Sequence, residues 1–396
     1  MLTTLSGFLD LPLEEKTRRG LLYTPAEIAQ QPATWKTTLQ IFKQHQERIA
    51  AFLDSVGVRA AVENRPSVML IGAGTSDYIS QASSFILRKK WGCEVSAVAS
   101  TDLLPNMEDY IIPGRRYLWI SFSRSGDSPE GVAVLERALA AYPEIAHLVV
   151  TCNTDARMAA LCEGVQQACS IVLDDAVNDR SLAMTSSFTN MIVLAQCLAH
   201  AWSIPEYEPV LDQLVAAGES LLLQAAQLAE SLAGRDFERI CLVGGGALAS
   251  VAKESALKVL EMTAGGIKTM SETVLGLRHG PMAALDTKTL FVCFVSGDPA
   301  RSQYARDLLC EIGAKQVVAE RIAIGSAASK EDFSDACDVY LSLQVPAGFE
   351  DAYRPVLDVI FGQLLGLYCS VARQLKPDSP SPAGVISRVV QKFQIY

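Results

Sequence analysis

The stretch AKESALKVLEMTAGGIKTMSETVLGLRHGP, residues 252–281, carries the side chains with most chemistry to offer. Its opening reads as a helix, on which Glu254, Lys258 and Glu261, spaced by four and three, share one face. Val251, Leu257 and Leu260 fall elsewhere on the wheel. A solvated stripe of ion pairs is the plainer reading of that pattern. The end of the stretch favours chemistry, because His279 precedes Gly280 and Pro281, which fix a tight turn and leave an imidazole at a loop. A lone loop histidine is more often structural, yet a carboxylate and an imidazole together are the usual equipment for moving protons near neutral pH.

A second group lies in SFSRSGDSPE, residues 121–130. Ser123, Ser125 and Ser128 supply three hydroxyls, and Gly126 lets backbone N–H groups approach an anion. Ser128, Pro129 and Glu130 form a helix start, with serine at the cap and proline at the first helical position. The helix N-terminus adds partial positive charge. The loop GAGTSD, residues 72–77, offers the same elements through Thr75 and Ser76. Ser-rich turns often do no more than cap helices, but two in one half of the chain point to a phosphate. The later loop FVSGDPARS, residues 294–302, keeps Ser296 and Gly297 with one serine before the glycine where the earlier loop has two. The phosphate is therefore expected in the first half.

These loops must be positioned by strands, and an internal duplication supplies them. VMLIGAG (68–74) is echoed by ICLVGGG (240–246), and YLWISFSRSGD (117–127) by LFVCFVSGD (290–298), at nearly the same offset. Strand-like runs at His147–Cys152 and Ile171–Leu173 are answered by Gln316–Ala319 and Val339–Leu343. Unbroken apolar runs separated by helical stretches such as Ser128–Ala141 and Arg301–Ile312 indicate parallel strands covered on both faces. Ligands of such sheets bind outside the carboxyl ends of the strands. Thr24–Ala61 and Glu208–Leu232 read as helix, and the tail beginning DSPSPAG reads as a surface turn. The expected division is a helical segment over 1–65, an α/β domain over 66–205, a helical linker over 206–236, a second α/β domain over 237–375 and a tail over 376–396.

Composition narrows the function classes. A net charge of -10 and the absence of a basic run argue against a nucleic-acid partner. The ten cysteines are scattered without a Cys-x-x-Cys spacing, as free thiols in a reducing compartment would be. No leader pattern opens the sequence, so a cytoplasmic location is expected. Pro355–Ala372 is apolar but interrupted by Asp358 and Gln363, which suits a buried helix better than a membrane span. Four histidines without paired spacing make neither a metal site nor a cofactor an expectation.

At these residues the sequence resembles the sugar isomerase (SIS) family, over nearly the whole chain from about Val68 onward and including the tandem arrangement. It is similar to the isomerase half of glutamine-dependent glucosamine-6-phosphate synthase and, in length and in the stretch SLAMTSSFTN (181–190), to AgaS-type galactosamine-6-phosphate deaminase/isomerases. The resemblance implies two tandem SIS domains, each a doubly wound parallel sheet flanked by helices, behind an N-terminal helical segment. It implies that Ser123, Arg124, Ser125 and Ser128 form the phosphate loop, with Thr75 and Ser76 beside them. It implies that Glu261 shuttles a proton between carbons 2 and 1 of an opened hexose, that His279 opens the ring, and that Lys258 is the family's lysine on the same helix. The interval from Glu261 to the His-Gly-Pro turn is about two residues longer than in the synthase. A lysine that lies by the sugar there is answered here by Ser387 or Arg388, with Lys392 out of register, so ring opening rests on His279.

Residues 1–67, opening Met1, Leu2, Thr3, have no room for a glutaminase, so the reaction is expected to run toward ammonia release. The expected conversion is galactosamine 6-phosphate to tagatose 6-phosphate, by an enzyme classed as a C–N hydrolase or an intramolecular oxidoreductase. The alternatives are glucosamine-6-phosphate deamination, isomerisation of tagatose 6-phosphate without deamination, and a non-catalytic sugar-phosphate sensor. A sensor is disfavoured by the absence of a helix-turn-helix with a basic recognition helix. By the resemblance, a homodimer or dimer of dimers is expected, with His279 carried into the neighbouring copy's site by a long turn from Gly265 to Arg278.

Overall fold

The computed structural model describes residues 4–396; Met1, Leu2 and Thr3 lie outside the described residues. Among the described residues, ten strands form two sheets. The first contains β1 (Ser67–Gly72), β2 (Val95–Ala99), β3 (Tyr117–Ser123), β4 (Ala146–Thr151) and β5 (Ala168–Val172) in the order β2-β1-β3-β4-β5. The second contains β6 (Arg239–Gly244), β7 (Lys268–Thr273), β8 (Thr289–Phe294), β9 (Glu320–Ser326) and β10 (Val339–Leu343) in the order β10-β9-β8-β6-β7. Every pairing is parallel. Counted from its own first strand, the second sheet repeats the order of the first, so both are doubly wound α/β sheets as expected. In each, the chain reverses direction between the first and third strands, and the loops leaving those two strands open on the crevice where ligands of this architecture bind.

The connecting helices are α1 (Gln31–Val56), α2 (Thr75–Trp91), α3 (Pro129–Ala141), α4 (Ser186–Ala199), α5 (Ile204–Ala233), α6 (Ala247–Met262), α7 (Pro299–Lys315) and α8 (Pro355–Ala372), with shorter turns of helix between them. The duplication extends to backbone detail. Gly74 before α2 and Gly246 before α6 have φ of 56° and 57° with ψ of -122° and -128°, a conformation open only to glycine. Two compact units result, each discontinuous in sequence. One comprises Ala33–Asp179, Ser186–Leu211 and Ile386–Tyr396 and holds β1–β5; the other comprises the described part of Met1–Pro32, Arg180–Thr185 and Asp212–Val385 and holds β6–β10.

In the β1–β5 unit, β1, β3 and β4 are buried along their whole length. Met69, Ile71 and Trp119 pack there with Val134 and Ala138 of α3. In the β6–β10 unit, Phe291 and Cys293 pack with Leu308 and Ile312 of α7. All ten cysteines are free thiols.

Two expectations are corrected. The fourth strand of the second sheet is Glu320–Ser326, not Gln316–Ala319, because Gln316 ends α7 with φ of 52° and Val317 and Val318 are spent covering the core from the connection. The segment from Gly265 to Arg278 is no long turn: it contains β7, an edge strand whose residues are no more than partly buried. Its sequence KTMSET and that of β2, VSAVA, an edge strand of the first sheet, lack the unbroken apolar run that two covered faces demand.

Helix α8 is long and apolar enough to cross a membrane, yet Pro355 through Ser370 are buried within the protein. Its apolar character has a packing cause. Gly362 and Gly366, one turn apart, lie against α6, where a Cβ at Gly362 would overlap the side chain and Cα of Ser255 and one at Gly366 would crowd Lys258 and Met262. Gly362→Ala is therefore expected to destabilise the fold by about 1–3 kcal/mol, seen as a lower urea midpoint by circular dichroism. An unchanged midpoint would mean that α6 and α8 are not locked at this distance.

Candidate active site

The row Glu254, Lys258 and Glu261 on α6 does not face solvent. Glu254 and Lys258 are wholly buried and Glu261 is partly buried, while Leu260 is 37% exposed on the other side. The plainer reading, a solvated stripe, is overturned. The Lys258 ammonium lies 2.7 Å from one oxygen of Glu261 and 3.3 Å from Glu254. Burial alone would lower its pKa, but the two carboxylates outweigh that and hold it above the ordinary lysine value. While both carboxylates are ionised, the stability contributed by this raised pKa is fully present below the unfolded lysine value of about 10.4 and is lost as pH rises through the higher folded value. The close approach of α8 through Gly362 and Gly366 keeps water from this row.

His279 does not join them within one chain. It is exposed and follows the short helix Gly276–Arg278, at the end of β7 where that strand points its carboxyl terminus. Glu261 stands near the end of α6, which descends from the carboxyl edge of β6 and returns the chain to the start of β7 at Lys268. At ~3.3 Å per residue, β7 alone sets the two edges about 17 Å apart. Gly280 continues the turn with φ of 121°.

In the β1–β5 unit the Ser-rich loop leaves β3 beside the loop leaving β1, since those strands pair directly. Thr75 and Ser76 begin α2 and are buried. Ser123 is buried and its hydroxyl accepts the Gly126 N–H at 3.1 Å, while Ser125 accepts the Asp127 N–H at 3.2 Å. Gly126 has φ of 65°, and a Cβ there would overlap Ala156. Ser128 stands before α3 and makes no side-chain cap bond. Ser123, Ser125, Ser128, Thr75 and Ser76 are thus brought to one edge of one sheet.

Arg124 is buried and its guanidinium donates to the Arg388 carbonyl. Arg388 in turn donates to the Asp179 carbonyl at 2.7 Å and to the Asn178 side chain at 2.7 Å. Asp179 receives the N–H groups of Ser186 and Ser187 at 3.0 and 2.9 Å, capping α4. The tail is thereby tied to the Ser-rich loop and to the stretch SLAMTSSFTN. No local pattern around Arg388 signals this role, since its partners lie some 210 positions away. Among the described residues, no group of three or more His, Cys, Asp and Glu side chains is arranged to hold a metal ion.

No family model matches the chain. The D-galactosamine-6-phosphate deaminase AgaS of Escherichia coli O157:H7 is 34% identical over 94% of this chain and 95% of its own. The chain belongs to the AgaS family of SIS-domain proteins. Among solved structures, the tagatose-6-phosphate ketose/aldose isomerase of Escherichia coli superposes with a TM-score of 0.83 at 33% identity, covering 92% of this chain and 95% of that one. The C-terminal domain of glucosamine-fructose-6-phosphate aminotransferase from Francisella tularensis shares the fold, with a TM-score of 0.74 at 19% identity over 90% of this chain and 98% of that one. In this member of the AgaS family the buried charge row is the feature that ordinary packing does not require.

Lys258→Met should leave two carboxylates facing each other without a cation and cost about 3–5 kcal/mol, whereas Glu254→Leu combined with Lys258→Met should recover much of that loss. Thermal unfolding of the two variants decides it. A double variant less stable than the single one would show that the row is held together by something other than the Lys258 charge.

Proposed function

We propose that the protein converts galactosamine 6-phosphate and water to tagatose 6-phosphate and ammonia. The observation that carries this reading is the buried Glu254–Lys258–Glu261 row in a chain of the AgaS family. The phosphate is held by the Ser125 and Ser128 hydroxyls and the N-terminus of α3, with Thr75, Ser76, Ser123 and Arg124 shaping that edge. His279 takes the proton of the anomeric hydroxyl and supplies one to the ring oxygen, opening the sugar. Glu261 removes the proton from carbon 2, giving an enaminol, and returns a proton at carbon 1, leaving an imine at carbon 2. Water adds to that carbon and ammonia departs, which balances the reaction. Lys258 holds the Glu261 carboxylate in place and offsets the charge developing beside it.

A second reading is favoured by one observation, the similarity to a tagatose-6-phosphate ketose/aldose isomerase. The same residues would then move the carbon 2 proton of a sugar bearing oxygen at that position. In either reading the enzyme works in the cytoplasm, where an ionised sugar phosphate is retained. Incubation with galactosamine, glucosamine and N-acetylgalactosamine 6-phosphates is expected to release ammonia from the first, undiminished by EDTA. Ketose formation without ammonia would favour the second reading, and loss of turnover in EDTA would sink the metal-free mechanism.

The opposite-edge positions of Glu261 and His279 support a two-fold dimer in which each site takes Glu261 from one copy and His279 from the other. Glu261→Gln and His279→Ala should each lower kcat a hundredfold or more. When the two variants are unfolded and refolded together in equal amounts, half the dimers are mixed and each owns one intact site. About a quarter of wild-type activity should return; a dead mixture containing proven mixed dimers would rule the arrangement out.

A further inference from the structure

The loop after β8 is the duplicate of the Ser-rich loop after β3, with Ser296, Gly297 and Asp298 answering Ser125, Gly126 and Asp127. The donors of the two loops face different things. In the loop after β8 a carboxylate of the same chain sits on them: Asp351 accepts the Ser296 hydroxyl and, at 2.8 Å, the Gly297 N–H. Arg354, wholly buried, donates to Asp351 at 3.2 Å and to the Val295 carbonyl at 2.7 Å. Its other edge is held by Asp358 at 2.7 and 3.1 Å. Arg301 stands 4.0 Å from Asp351. Asp298 then takes the first amides of α7, from Ala300 at 3.0 Å and Arg301 at 2.9 Å. In the loop after β3 the equivalent Asp127 is turned aside, accepting the Arg157 N–H at 2.9 Å and the Asn153 side chain at 3.2 Å, and α3 is left without a side-chain cap.

We propose that Asp351 is a built-in anion that occupies, in the loop after β8, the place a phosphate takes in the loop after β3, and so limits the chain to one sugar phosphate. The proposal rests on the reading that the Ser-rich loop holds the substrate phosphate. A hydroxyl, a backbone N–H at a helix start and a guanidinium are the donors that recognise phosphate, and a resident carboxylate both satisfies them and repels a second anion. Duplication makes two such loops, and an internal carboxylate retires one without leaving buried donors unpaired.

The test is the number of inorganic phosphate ions bound per chain, by equilibrium dialysis at fixed ionic strength, with thermal unfolding alongside. Wild type is expected to bind one, lost in Ser125→Ala/Ser128→Ala. Asp351→Ala should bind two, the second persisting when Ser125 and Ser128 are also replaced, and its lowered Tm should be restored by phosphate or sulfate and not by chloride. If Asp351→Ala fails to fold, Asp351→Asn, which keeps size and gives up charge, is titrated instead and should show the extra site more weakly. Two phosphates on wild type, or a phosphate response in the Asp351 variants identical to that of wild type, overturns the proposal. No phosphate on wild type with one gained by Asp351→Ala would instead overturn the Ser-loop reading and leave Asp351 as the resident anion.

Discussion

A lysine ammonium cannot be taken out of water alone, and the candidate catalytic helix is organised around that constraint. Lys258 is buried on α6 only because Glu254 and Glu261 lie one turn to either side. Desolvating all three is unfavourable, so the row is weak as a source of stability and is better understood as a device that orients Glu261. Its burial depends on α8, whose glycines at 362 and 366 bring the two helix backbones close enough to exclude water. A carboxylate so held is partly open on one side and braced by a cation on the other.

The duplicated fold gives the two halves of the chain one backbone plan on which different side chains are mounted. Both halves build the same crevice between their first and third strands, with the same glycine geometry at the first loop. They diverge in the side chains placed at the loops and on the following helix. In the β1–β5 unit α2 carries Thr75, Ser76 and Ser80, small hydroxyls beside an uncapped α3. In the β6–β10 unit α6 carries the charge row and the equivalent loop is closed by Asp351. Backbone symmetry is thus retained while the electrostatics of the two halves have separated.

Part of this organisation is legible in the residues. The buried strands β1, β3, β6 and β8 announce themselves as unbroken apolar runs ending in glycine or serine, because strands covered on both faces have no polar side to show. Edge strands β2 and β7 do not, since one flank is free and their composition is mixed. The carboxylate that fills the second loop is equally hidden. Asp351, Arg354 and Asp358 are visible as a charged row entering an apolar helix, but nothing local says that the row turns inward to meet Ser296.

The sequence by itself determined the duplication, the two parallel sheets, the Ser-rich loop and the residue types Glu261, Lys258 and His279, because strand burial, turn chemistry and helical spacing are local properties. Only the tertiary structure decided which way α6 faces. A helix with charges on one side and leucines on others can present either to the core, and the choice is made by the helix that packs against it. The same holds for the separation of Glu261 from His279 and for the tie between Arg388 and Arg124: both follow from where distant segments return to the sheets, a property that no stretch of local sequence contains.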